Sequence, residues 1–189
     1  DGGDFHGYET IQAMVERRKG GESGVKWIEA LRGDKFWSAL HEGRWSRELF
    51  DACLSRSHQL RSARPGFNHV FPSIDEMKAL VKDPWAYQYA HADGLLCTMI
   101  ALNGLFGGSW AFAADIKDRR EPLSTYMHLP MPPNPATLAN FFSPLVNNIE
   151  QMFLSGQATY PIERTLLTTG LTIAGVDSLQ QDQQRIETP

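Results

Sequence analysis

No G-x-G-x-x-G follows a strand anywhere in this 189-residue chain, and no G-x-x-x-x-G-K-[ST] occurs. Without either loop the chain has no usual cradle for a nucleotide phosphate. The Gly2-Gly3, Gly20-Gly21 and Gly107-Gly108 pairs sit in turns instead. His-Glu-x-x-His and G-x-S-x-G are missing too, and the six histidines are scattered at 6, 41, 58, 69, 91 and 128. That leaves no local metal signature and no nucleophile elbow. Cysteine is scarce: Cys53 and Cys97 stand in apolar surroundings at unrelated spacing. They read as small buried hydrophobes, and a reducing compartment fits. Basic excess is absent, with 18 Lys and Arg against 22 Asp and Glu for a net charge of -4, which argues against nucleic acid as a partner. No apolar run approaches the ~20 residues that span a bilayer, and Thr98, Asn103 and Gly104 interrupt the longest. No membrane association is expected. The N-terminus shows no charged-then-apolar leader, so the expected location is cytoplasmic. No internal repeat is visible.

What is present has the period of a mixed fold. Phe5, Tyr8, Ile11 with Gln12, then Met14 and Val15 recur at helical spacing, predicting a helix over about 6–19 that stops at Gly20-Gly21. GVKWIEAL alternates and reads as a strand. Asp34 is placed to cap a short helix, DKFWSALHEG, and Ser46 to cap SRELFDACLSRS. RSARPGFNHVFPS reads as loop. Ser73 and Glu76 form a capping box for SIDEMKALVKD. WAYQYAHA and LLCTMIALNG flank Asp93-Gly94, a strong hairpin signal. SWAFAADIKD and PLSTYMHLP alternate in turn, which predicts a four-stranded antiparallel meander. Its more open face would carry Ser109, Asp115, Tyr126 and His128. After the rigid MPPNP come two helices. Phe141, Phe142, Leu145, Ile149, Met152 and Phe153 stripe the first, and Pro144 places its regular start nearby. Pro161 opens the second, where Gly170 and Gly175 predict close packing on another backbone. QDQQRIETP reads as an extended exit. Trp27, Trp37 and Trp45 are expected between helices and sheet. The expected architecture is one α+β domain over 1–189: an open, mostly antiparallel β-sheet with helices packed on one face.

Several segments resemble the C-terminal domain of a bacterial branch of the Gfo/Idh/MocA oxidoreductases. They are MVERRKGGESGVKWIEALRGDKFW, HADGLLCTMIALNG, EPLSTYMHLPMPPNP with FFSPLVNNIEQMFLSG, and YPIERTLLTTGLTIAGVDSLQQDQQRIETP. They cover nearly the whole chain in the family's order. The resemblance implies a two-domain enzyme whose Rossmann half, absent from this chain, holds NAD or NADP. No cofactor is then expected on this chain alone. It further implies a carbohydrate-like substrate, a sugar or polyol-like alcohol, and a homo-oligomer formed through the sheet face. The missing phosphate loop, Glu-Lys-Pro motif and initiating Met agree with a C-terminal half.

The family pattern G-x-H-x-x-D falls on Asp4-Phe5-His6-Gly7-Tyr8-Glu9, with Asp4 in place of the glycine and Glu9 in place of the aspartate. By resemblance His6 and Glu9 are the catalytic candidates. Oxidising an alcohol releases a hydride from carbon and a proton from oxygen, and a histidine with a pKa near 7 suits the proton. Glu9, one turn on, would orient the imidazole or hold a second hydroxyl. Spacing alone supports a plainer reading: two polar first-turn residues, the carboxylate favoured by the helix dipole. Tyr8, Trp110, Asp115, Tyr126 and His128 are the substrate-binding candidates, since aromatic and hydroxyl groups suit sugar rings. A half-exposed sheet shows the same alternation without a ligand. Glu163 and Arg164 read as structural. The alternative to the enzyme reading is a non-catalytic, sheet-mediated dimerisation module, for which the small Ala90, Ala111 and Ala113 leave room.

Overall fold

The computed structural model describes residues 3–56, 72–105, 110–127 and 138–188, and side chains within the last segment from 142 onward. Most of RSARPGFNHVFPS, the Gly107-Gly108 turn with Ser109, His128, MPPNP and the Phe141 side chain lie outside these residues. The fold is α+β. Helix α1 spans Gly3–Val15 and strand β1 Val25–Arg32, followed by α2 (Asp34–His41), α3 (Arg47–Ser55) and α4 (Ile74–Leu80). Then come β2 (Trp85–His91), β3 (Leu96–Ala101), β4 (Trp110–Ala114) and β5 (Leu123–Met127). Helices α5 (Leu138–Ser155) and α6 (Glu163–Gln180) precede the short β6 (Ile186–Glu187).

Local chemistry explains most boundaries. The Ser46 hydroxyl accepts from the Leu49 N–H at 3.2 Å, and Ser73 and Glu76 complete their reciprocal box. Such caps contribute about 1 kcal/mol each. Three expected boundaries shift. Helix α1 begins earlier and ends earlier than 6–19, because Arg17 and Arg18 bond three residues back and tighten the last turn before Gly20. Gly33, at φ 61°, is the N-cap of α2, so Asp34 is its first helical residue and caps nothing. Helix α5 runs straight through Pro144. The described side chains of this helix are all exposed, so water can supply the hydrogen bond that the proline withholds.

The four-stranded meander is not formed. The main sheet has the order β3-β2-β1-β6, all antiparallel, and β4 with β5 makes a separate two-stranded sheet. The chain leaves β3 through a turn in which Leu102 and Leu105 are buried. Gly104, at φ 107°, permits it: a Cβ there would lie 2.4 Å from the Leu80 carbonyl oxygen. The turn therefore ties the chain to the end of α4 instead of returning it to the sheet edge.

Two cores result. Helices α1 and α6 cover the sheet face bearing Ile28, Ala30, Tyr87, Tyr89, Cys97 and Met99, with Tyr8 and Leu171 between the layers. Among the described residues, the other face is covered at one end only. There the row Leu31, Ala86 and Ile100 meets Phe36, Leu40, Trp45, Phe50, Leu54 and Met77 of the short helices. The next row on that face is polar: Glu29, Gln88 and Thr98, with Arg44 bonded to both Glu29 and Gln88 at 2.8 Å. Trp37 and Trp45 pack as expected, but Trp27 lies on the open face with the Arg185 guanidinium 3.7 Å above its ring. Cys53 and Cys97 are free thiols that burial pushes up to about 12. Gly175 packs closely, although on aromatic rings and not on backbone: an added Cβ would sit 2.8 Å from the Tyr87 ring. Gly170 faces open space.

Candidate functional site

The residues singled out in the sequence separate into different surroundings. The His6 ring is exposed and lies edge-on to Trp110, with centroids 5.5 Å apart. The β4–β5 hairpin is held at this spot by a second contact, the Thr10 hydroxyl 3.9 Å from the Met127 sulfur. Glu9 turns toward α6 and accepts from the Thr168 hydroxyl at 2.5 Å. Two turns on from Glu9, Arg164 of α6 pairs with Glu16 just past the end of α1, so Glu9 belongs to a zip of polar contacts between the two segments. No hydrogen bond joins His6 to Glu9 among the described residues. Tyr8 is fully buried against Tyr87 and Tyr89. Burial first, then the neighbouring tyrosines and Asp4, holds its phenol well above the usual tyrosine range. Asp115 is exposed just past the end of β4. Tyr126 pairs with Ala111 and so lies on the opposite hairpin face from Trp110, which pairs with Met127. His128 is outside the described residues. The fold thus brings His6 and Trp110 together and leaves the other candidates apart.

A concave site forms where the sequence marked only a departure from a pattern. Asp4, in the first turn of α1, is 6% exposed. Its two oxygens accept from the Trp85 indole N–H and the Tyr87 hydroxyl, both at 3.1 Å. Alternation on β2 sends both side chains to the same face, and the register places Arg32 beside Trp85 at the sheet's end. The Arg32 guanidinium lies 6.0 Å from the Trp85 ring centroid and is paired with Asp83. That hydrogen-bonded pairing holds the Asp83 carboxyl below the usual range. Burial, then the charge of Asp4, pushes the Tyr87 phenol up.

These groups border a cavity of about 400 Å³. Lys82 and Asn103 complete its polar rim, while Leu80, Val176 and Leu179 form an apolar wall. The arrangement offers one buried carboxylate, exposed cationic and amide donors, and an aromatic surface. That combination takes hydroxyl-rich or mixed-charge small molecules. Asp4 and His6 stand about 200° apart around the helix, so the histidine faces away from this cavity.

β1 runs into Gly33 and an eight-residue helix whose first turn carries Asp34, a charge that repels a pyrophosphate. Among the described residues no three His, Cys, Asp or Glu side chains cluster as a metal would need, and no helix is long and apolar enough to cross a membrane.

Sequence reasoning passed over Asp4, Arg32, Lys82, Trp85, Tyr87 and Asn103. The available signal was the alternation of Trp85 and Tyr87 on β2, together with an aspartate where glycine was expected. Nothing local joined the two, because the bonds from Asp4 span 81 and 83 residues. No family model matches the chain, nor does any characterised protein or solved structure.

Proposed function

We propose that this chain is the substrate-binding and oligomerisation half of an NAD(P)-dependent oxidoreductase that acts on a sugar or polyol-like alcohol. The observation that carries the reading is the cavity in which the Asp4 carboxylate, fixed by Trp85 and Tyr87, meets Arg32, Lys82 and Asn103. Hydroxyl groups need acceptors and donors together, and a sugar's apolar face needs an aromatic or aliphatic wall. The segment resemblance supplies the reaction class. By the same resemblance the cofactor would belong to a Rossmann half, in keeping with a sequence that contains no glycine-rich phosphate loop, and this chain would contribute substrate binding. His6, exposed and braced by Trp110, faces away from this cavity, so it is the proposed proton acceptor only for a reacting hydroxyl presented on its own side of α1, where the two halves would meet, and not for a group seated on Asp4.

Binding to this chain can be followed by tryptophan fluorescence across a panel of monosaccharides, polyols and sugar acids. The expected result is saturable binding to at least one member, weakened at least tenfold by Asp4→Asn. Absence of binding throughout the panel refutes the site. The reaction class is tested separately in the full-length protein, where His6→Gln should slow turnover by about 10²-fold while leaving substrate binding in place. Unchanged turnover removes His6 from the chemistry.

A further inference from the structure

Among the described residues, two apolar stripes on consecutive helices stay exposed. Every described side chain from residue 142 to residue 163 is exposed. On α5, Leu145, Val146, Ile149, Met152 and Phe153 are 37–79% exposed and recur at three- and four-residue spacing. This helix holds a single carboxylate, Glu150, and no basic residue. Helix α6 is apolar on two sides. Thr168, Leu171, Gly175 and Ser178 are buried toward α1 and β1. On its outer side Ile162, Leu166, Ile173 and Val176 are 42–77% exposed. With Thr169 they follow a strict 4-3-4-3 spacing, and no charged residue falls between Arg164 and Asp177.

We infer that these stripes pair between two copies of the chain, α5 of each copy lying along the outer face of α6 of the other. Both helices have 18 residues, and the α5 stripe, about 12 Å from Leu145 to Phe153, fits within the α6 stripe, about 21 Å from Ile162 to Val176. Their alternating three- and four-residue spacing is that of a coiled-coil seam, which packs at about 20°. The lack of charge on either stripe makes them complementary to each other and poor surfaces for water. A two-fold exchange repeats the contact twice. At roughly 100 Å² for each of the nine side chains, the exchange would remove on the order of 1,800 Å² from water, against the ~1,600 Å² of a typical stable interface. The open sheet face is a weaker competitor, because Glu29, Gln88, Arg44 and Arg185 form a polar network across it. Val176 belongs both to the outer stripe of α6 and to the wall of the Asp4 cavity, so the partner's α5 would border that cavity. The pairing stands independently of the proposed reaction.

The test combines light scattering with site-directed cross-linking. The chain should run at twice its 21.2 kDa mass. Phe153→Asp and Leu166→Asp should each return it to monomer with an unchanged circular-dichroism spectrum. Both side chains are more than 70% exposed, so neither change touches a core. A mixture of Ile149→Cys and Thr169→Cys chains, treated with a short bis-maleimide, should yield a linked heterodimer. Cys97 is buried and Cys53 half-buried, and the parent chain treated with the same reagent gives the background from these native thiols. A monomer at high concentration overturns the inference. So does a dimer unaffected by either aspartate. Monomer-mass cross-linking in an Ile149→Cys/Thr169→Cys double variant, with no heterodimer from the mixture, shows α5 folded back on its own α6 and also overturns it.

Discussion

The two cores are built on different principles. The cluster around α2, α3 and α4 is almost wholly aliphatic and aromatic, and among the described residues its one buried polar side-chain atom without a partner is the Trp45 indole N–H. The cluster under α1 and α6 is laced with polar groups. Tyr8, Gln12 and His91 are buried there, and each carries an atom with no hydrogen-bond partner among the described residues, while the equally buried Tyr89 hydroxyl meets only the weakly bonding Cys97 thiol. Such atoms cost roughly 1–3 kcal/mol apiece. The first core therefore supplies stability, while the second gives some of it up. The second is also the core that borders the Asp4 cavity, since Tyr87 belongs to both. Local rule-breaking beside a cavity is the usual sign of a site.

The sharpest way to break this comparison is at its apolar pole. Phe36 is fully buried, and Phe36→Ala should lower stability by about 3–5 kcal/mol in denaturant titrations. A loss under 1 kcal/mol would mean that the first core is not where stability resides. Next comes Gly175→Ala. The new Cβ would press on the Tyr87 ring and cost about 1–3 kcal/mol. It should also weaken ligand binding by shifting the hydroxyl that donates to Asp4, a combined effect that Phe36→Ala should not show. Tyr8→Phe tests the polar pole, since it deletes a buried hydroxyl that has no partner. Stability should stay level or rise by up to about 1 kcal/mol. A clear loss would show that the hydroxyl has found a partner in solution.

The smallest expected effect is a pH dependence at the sheet's periphery. The Arg18 hydrogen bond holds the Asp93 carboxyl at about 2. A folded-state value below the unfolded one stabilises the fold above the ordinary carboxylate range of ~4 and is lost as pH falls toward the folded value. The hydrogen bond and charge of Arg44 lower Glu29 in the same direction. The gap in melting temperature between the parent chain and Asp93→Asn should therefore close as pH drops from ~4 to about 2. A gap that stays constant through that window would separate the salt bridge from acid unfolding. Salt should narrow the gap as well, because this pair sits at the surface.

Much of the fold was legible wherever a few neighbouring residues decided it. Ser46, the Ser73–Glu76 box and Asp93-Gly94 each act within four residues, and each formed as read. Gly33 took the cap from Asp34 because its positive φ satisfied the turn out of β1. The β4–β5 hairpin formed as a pair, but its place was set by Gly104 against Leu80 and by contacts from β4 and β5 to α1, and alternation says nothing about either.

By itself, then, the sequence determined the α+β class, the helix caps and the pairing of β2 with β3, because those rest on short-range hydrogen bonds and on period. Tertiary structure alone decided that Asp4 reaches Trp85 and Tyr87 across more than eighty residues, that Glu9 bonds α6 instead of His6, and that, among the described residues, α6 packs one side on α1 and β1 and leaves the other exposed. The physical reason is that a side chain's period names the face it occupies, whereas its partner depends on which distant element packing brings to that face.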